Sequence, residues 1–254
     1  MSPSTDLREN RAFASELKFV VGRPLAEEIR EWARVRLAPD PNANGEWSDG
    51  YQITSLYFDT PHFDVFHRKG SFGRSKYRIR RYDVSQVAFL ERKLKTRGLV
   101  SKRRTIVELD QLQRLAGAEP DRGWPGYWYH QRLLARRLRP ICQIAYRRTA
   151  RVAMTRCGPI RLTLDDDIRA QPVPGLAFND QKEGVLLSEN QVIIELKYCL
   201  EMPVLFKRLV EEFALNPQSI SKFRLAAVAL GYVIEPVSDL PAKGDPGASL
   251  CLTF

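Results

Sequence analysis

The chain has 254 residues, 44% of them apolar, which is enough for a full core in one large β-rich domain or two small ones. Forty Lys and Arg against thirty Asp and Glu leave a formal charge of +10, so an anionic partner is favoured, be it nucleic acid, a phosphate compound or a membrane surface. Cys142, Cys157, Cys199 and Cys251 are far apart with no CxxC pair, the N-terminus has no apolar signal region, and no run approaches the roughly 18 apolar residues of a membrane span. A zinc site, a disulfide framework and a membrane span are therefore not expected, and reduced thiols in a cytoplasmic protein are.

Residues 1–12 are polar and expected to be loose. Ala14 to Val21 alternates as a strand, with Leu17 and Phe19 on one face and Glu16 and Lys18 on the other. Pro24 opens an amphipathic helix over 24–37, and a loop rich in Pro, Asn and Gly follows to Gly50. Tyr51 to Asp59 is strand-like and is stopped by Thr60-Pro61. Next comes RSKYRIRRYD, where Arg74, Lys76, Arg78 and Arg80 share one face of a strand and Tyr77 and Ile79 the other. A row of four cations repels itself unless it lies in water or faces an anion.

Val87 to Lys95 puts Phe89, Glu91 and Lys93 on one face and Leu90 and Leu94 on the other, and 99–109 returns as its hairpin partner with Lys102 and Arg104 on one parity. About 110–139 is helical in period but broken by EPDRGWPG, a small helical insertion with Trp124, Trp128 and Tyr129 as its apolar anchor. Residues 141–156 and the run IRLTLDDDIRA form another hairpin, in which only Asp165 of the three consecutive acids shares a face with Arg161. QVIIELKYCL repeats the acid-x-Lys pattern at Glu195 and Lys197. Helices over Pro203 to Leu215 and Ser221 to Leu230, the second capped by Ser219 or Ser221, complete the chain before a tail over 234–254.

About eight strands joined mostly by short turns predict an α+β protein built on an antiparallel eight-stranded β-barrel or tunnel with flanking helices. One parity class of these strands is polar and mostly cationic, and the other is apolar and suited to packing beneath the helices. A water-filled lumen lined by Arg and Lys suits a chain of phosphates, and isolated carboxylates among such bases suit Mg²⁺ or Mn²⁺. Duplex nucleic acid would not enter so narrow a lumen, so no nucleic-acid partner is expected. His62, His67 and His130 are scattered and are not expected to act as ligands.

ELKF, SLYFDT, KYRIRRY, FLERK, KRR, YRRTA, IRLTLD, IIELK and SKF occur in that order between Glu16 and Phe223, a series that resembles the VTC domain, the polyphosphate polymerase domain of the triphosphate tunnel metalloenzyme superfamily. The resemblance covers residues 13–233. It implies transfer of the γ-phosphate of ATP to a growing polyphosphate chain with release of ADP, dependent on Mn²⁺ or Mg²⁺. By the same resemblance Lys18, Arg78, Arg80, Lys93, Lys102, Arg148, Arg161 and Lys222 match phosphate-binding bases, Tyr146 a tunnel tyrosine and Glu195 the metal-binding glutamate. Glu16 and Glu91 are secondary metal or ion-pair candidates, and Lys76, Arg104 and Lys197 join the phosphate-binding set. ATP and polyphosphate are the expected partners, with a protein partner left open. In contrast to the fungal membrane-complex members, no SPX-like region or membrane span is found. A single acid precedes Lys18, unlike the two-glutamate motif of the superfamily's triphosphatases and cyclases. Two other readings remain open, a metal-dependent triphosphatase and a non-catalytic polyphosphate-binding module.

Overall fold

β-branched and aromatic residues alternating with cations drive eight long strands. The computed structural model describes residues 6–9, 15–43, 49–96, 99–181, 183–199 and 201–234. The long strands are β2 (Ser15–Gly22), β4 (Gly50–Asp59), β5 (Ser75–Tyr82), β6 (Val87–Thr96), β7 (Leu99–Glu108), β8 (Arg139–Thr155), β9 (Gly158–Pro172) and β11 (Gln191–Tyr198). Three short strands accompany them: β1 (Asp6–Glu9), β3 (Ala38–Pro39) and β10 (Val185–Leu186). The sheet runs β1-β7-β6-β5-β4-β8-β9-β11-β2, with β3 on β8 and β10 on β9, and each pairing is antiparallel.

The sheet curls into a tunnel, the second of the two forms expected, and does not close as a barrel among the described residues. Among the described residues no hydrogen-bonded ladder joins β2 to β7 or β1, and the seam is crossed instead by Lys93 Nζ donating to Glu16 Oε2 at 3.1 Å. Cations on both sides of the seam face water and anions, and a tight ladder there would force them together. Asp6–Glu9 pairs with β7, although residues 1–12 were expected to be loose. The turn expected at Arg97 and Gly98, the tail from residue 235 and the side chain of Arg74 lie outside the described residues.

The apolar parity class packs outward as expected. Phe19, Ile160, Leu162, Ile194 and Leu196 meet α1 (Arg23–Arg36) and α3 (Val204–Glu212) through Ile29, Trp32, Ala33, Phe206 and Leu209. Tyr77, Ile79 and Leu90 meet the insertion, where a 3₁₀ stretch over Leu109–Ala116 and α2 (Tyr127–Ala135) seat Trp128 and Tyr129, and Trp128 Nε1 donates to Thr105 Oγ1 at 2.8 Å. Asp165 faces inward, whereas Asp166 faces outward to Arg30 and Arg147, at 2.9 and 2.8 Å, beside an irregularity in the β8–β9 register where Asp167 has φ 47°. The alternation of faces along a strand thus separates the three acids. Lastly α4 (Lys222–Ala229) lies across one end of the tunnel with its first residue pointing in.

Candidate active site

The inward faces enclose a cavity of about 390 Å³ lined by ten Lys and Arg side chains against three carboxylates, so its net charge is strongly positive. Thirteen residues singled out in the sequence meet there, from six strands and α4. On the β2–β11 wall Lys18 Nζ sits between two carboxylates, 3.2 Å from Glu16 Oε1 and 3.3 Å from Glu195 Oε1. Lys197 Nζ lies 3.2 Å from Glu195 Oε2 and 3.9 Å from Glu16 Oε2. Burial alone would raise both carboxyl pKa values. The four ammonium and guanidinium groups around Glu195 (Lys18, Lys197, Lys222 and Arg148) hold it well below the usual range, and Lys197, Lys18 and Lys93 hold Glu16 at about 2. Burial lowers the Lys197 pKa, a cost only partly offset by Glu195 and Glu16.

On the opposite wall Glu91, 2% exposed, accepts from Arg78 Nε at 2.6 Å and Arg104 Nε at 2.7 Å and lies 3.1 Å from Lys102 Nζ. Its oxygens pair with three bases, the ion-pair role that stood beside the metal one for Glu91 in the sequence. Between the walls Arg148 forms a fork with buried Asp165 at 2.6 and 2.7 Å, and Lys222 Nζ reaches the same carboxylate at 2.6 Å from the start of α4. Arg80 donates to Ser55 Oγ at 3.1 Å and to Tyr146 Oη at 3.0 Å. Lys222 also lies 5.0 Å from the centre of the Tyr146 ring. Lys76 at the mouth donates to Ser221 Oγ at 3.1 Å, which removes the expected side-chain cap: Ser221 occupies the N-cap position but makes no capping bond. Lys93 completes the mouth and is 45% exposed.

Arg104 and Arg161 do not line the cavity. Arg161 Nη2 reaches Asp40 Oδ2 at 2.8 Å and Tyr51 Oη at 2.7 Å, and Arg104 Nη2 reaches Tyr82 Oη at 3.1 Å. The Tyr51 and Tyr82 rings touch, with centroids 5.7 Å apart, and Tyr82 meets Phe89 edge-on at 5.2 Å. These residues are linked by contacts to one another, with Phe89 opposite Arg80 and Tyr51 opposite Arg148 in the strand register. Burial holds the Tyr51 hydroxyl up at about 12, whereas for Tyr82 the effect of burial is overcome by Arg80 and Arg104, which bring it to about 8.

Tyr57, Arg68, Ser219 and Phe223 also line the cavity and were not among the site residues expected from the sequence. Tyr57 was findable, since alternation along SLYFD puts it on the face of Ser55. Its ring stacks on Phe223 at 5.6 Å, its hydroxyl accepts from Arg78 at 3.3 Å, and Arg78 and Arg80 lower its pKa against the effect of burial. Arg68 and Ser219 sit in irregular segments whose placement no periodicity reveals.

Among the described residues no group of three His, Cys, Asp or Glu could hold a metal ion. Glu16 and Glu195 converge on the same two ammonium groups, however, and a pair of hard carboxylate donors completed by water and phosphate oxygens fits Mg²⁺ or Mn²⁺. No helix among the described residues is long and apolar enough to cross a membrane.

Among solved structures the chain is similar to a candidate adenylate cyclase from Bacillus halodurans, with a TM-score of 0.52 and 15% identity over 81% of this chain and 92% of that one. It is also similar to an adenylyl cyclase candidate from Hippeastrum described as having a dominant triphosphatase activity, with a TM-score of 0.45 and 16% identity over 89% and 99% of the two chains. At these identities only the first likeness bears on the matter, and it concerns the fold. No curated protein matches the sequence. The model of the VTC domain matches residues 13–230, in agreement with the cationic tunnel, and the chain belongs to the VTC domain family, with a triphosphate-tunnel fold.

Proposed function

We propose that this protein is a divalent-metal-dependent polyphosphate polymerase that moves the γ-phosphate of ATP to a polyphosphate acceptor and releases ADP. The observation that carries this reading is the state of the carboxylates. Glu16, Glu91 and Glu195 are each ion-paired with Lys or Arg side chains, so these carboxylates are engaged with cations and none stands free to take a proton from water. A phosphate acceptor is already anionic and needs no such base, only neutralised charge and alignment. Lys18, Arg78, Arg80, Lys93, Lys102, Arg148 and Lys222 are placed to bind phosphate oxygens, and Lys76 and Lys197 flank them. Glu195 and Glu16 would hold Mg²⁺ or Mn²⁺, which supplies charge neutralisation on the phosphates when bound. Asp165 keeps Arg148 and Lys222 aimed into the cavity, and Tyr146 fixes Arg80.

Purified protein given ATP and Mn²⁺ is expected to make a polymer that survives protease and disappears with exopolyphosphatase, with ADP released in step. Phosphate release without polymer would establish the triphosphatase reading instead, and tight polyphosphate binding without turnover the non-catalytic one. Glu195→Gln should lower turnover by about a hundred-fold while the protein stays folded.

A further inference from the structure

Among the Lys and Arg side chains that line the cavity, Arg68 differs from the rest. Each of the others has a carboxylate or hydroxyl partner, whereas Arg68 makes no hydrogen bond, ion pair or ring contact among the described residues. It is exposed, and its backbone has φ 54°, a left-handed conformation for a residue that carries a Cβ. Such a conformation costs free energy and persists only where the surrounding structure imposes it.

The loop around Arg68 supplies that structure. The buried Asp59 carboxylate accepts from the backbone N–H groups of Thr60, Val65 and Phe66 at 2.7, 2.8 and 2.9 Å. Arg224 of α4 donates to the Phe66 carbonyl oxygen at 3.3 Å and lies over the Phe66 ring, which ties the loop to the helix that carries Lys222. At Gly73 the chain returns so close that a Cβ would stand 2.7 Å from the Arg68 carbonyl oxygen, so a side chain there would push on the backbone. An ordered loop thus presents an arginine that holds nothing of this chain.

Along the inward face of β5 exposure rises from Arg80, which is buried, through Arg78 to Lys76, so Lys76 marks the mouth. Partial loss of solvent, with repulsion from Lys18, Lys93 and Arg68, brings the Lys76 ammonium down to about 8. Lys76 has the Ser221 hydroxyl but no carboxylate partner among the described residues. Two cations that repel each other without a counter-charge call for an anion more than for a neutral base.

We infer that Arg68 is a selectivity residue whose guanidinium fork grips the outermost phosphate of a bound chain and so sets a preference for triphosphate over pyrophosphate. This rests on the phosphate-binding role proposed above for the chamber and not on polymerisation. Pyrophosphate seated at the depth of Arg80 and Arg78 stops short of Arg68, and a longer chain reaches it.

The test is calorimetric affinity for inorganic triphosphate and for pyrophosphate in wild type, Arg68→Ala and Gly73→Ala, without added divalent metal so that neither anion is turned over. Wild type should bind triphosphate the more tightly. Arg68→Ala should weaken triphosphate about ten-fold and leave pyrophosphate near wild type, with an unchanged urea midpoint because the side chain is exposed and unpartnered. Gly73→Ala keeps the charge but displaces the Arg68 backbone, and should weaken triphosphate in the same way. Equal losses for the two anions would overturn the proposal, since a general field at the mouth acts on both, and so would triphosphate affinity indifferent to Arg68→Ala. A folded Gly73→Ala that binds triphosphate as wild type does would overturn the positioned fork; if that variant does not fold, Arg68→Ala decides alone. Wild type that binds neither anion would overturn the phosphate-chamber reading and this proposal with it.

Discussion

Glu91 is held at 2.6, 2.7 and 3.1 Å by Arg78, Arg104 and Lys102, and its contribution lies in its charge more than in its shape. Removing that charge leaves three bases facing one another in a confined space. Glu91→Gln should therefore lower stability by about 2–3 kcal/mol, below the full loss for a buried pair because Arg78 and Lys102 are about a quarter exposed. Inorganic triphosphate should restore more stability to this variant than to wild type, since phosphate oxygens replace the missing acceptor. Urea unfolding with and without triphosphate measures both, and a variant as stable as wild type would mean that Glu91 does not organise these bases. Sequence alternation put Glu91 on the inward face, but its partners come from β5 and β7, so only pairing across strands distinguishes an orienting carboxylate from a metal ligand.

At the scale of elements, α4 depends on few contacts for a large effect. Phe223 is 3% exposed and stacks on Tyr57, and the residue before it, Lys222, reaches Asp165 and lies 3.8 Å from Glu195. A lysine at a helix start is disfavoured by the helix dipole, and the buried carboxylates outweigh that cost. Phe223→Ala should cost about 3 kcal/mol and free the helix start, so triphosphate affinity should fall along with stability. Amide exchange over 222–229 would show the loosening, and unchanged protection there would contradict this account. The helix itself was legible from its periodicity, and SKF marked Lys222. That the Ser221 hydroxyl accepts from Lys76 and makes no cap was not legible, because the two are far apart in the chain and meet only in the folded protein.

For the whole molecule, the inward charges tie stability to pH. The Glu16 carboxyl lies at about 2 against a usual 4.5, so its contribution is complete above the unfolded value and is lost as pH falls from 4.5 toward 2. Glu91 and Glu195, also held well below the usual range, act in the same direction. The urea midpoint should fall steeply between about pH 5 and about pH 3, and triphosphate should delay that fall by supplying anions in place of the protonated carboxylates. A midpoint flat across that window would show that the carboxylate pairs are not coupled to folding.

The sequence alone determined the parity of most of the long strands, because a period of two follows from the pleat and needs no tertiary information. From this came the cationic inner faces, the apolar outer faces beneath the helices, the separation of Asp165 from Asp166, and the order of motifs that marks the VTC domain. Tertiary structure decided the height at which each inward residue sits, since the tilt and stagger of a coiled sheet bring together residues far apart in the chain. That stagger joins Glu16 to Lys93 across an unladdered seam. It also brings Tyr51, Tyr82, Phe89, Arg104 and Arg161 into contact with one another, and Arg104 and Arg161, expected among the phosphate bases, are not among the residues that line the chamber.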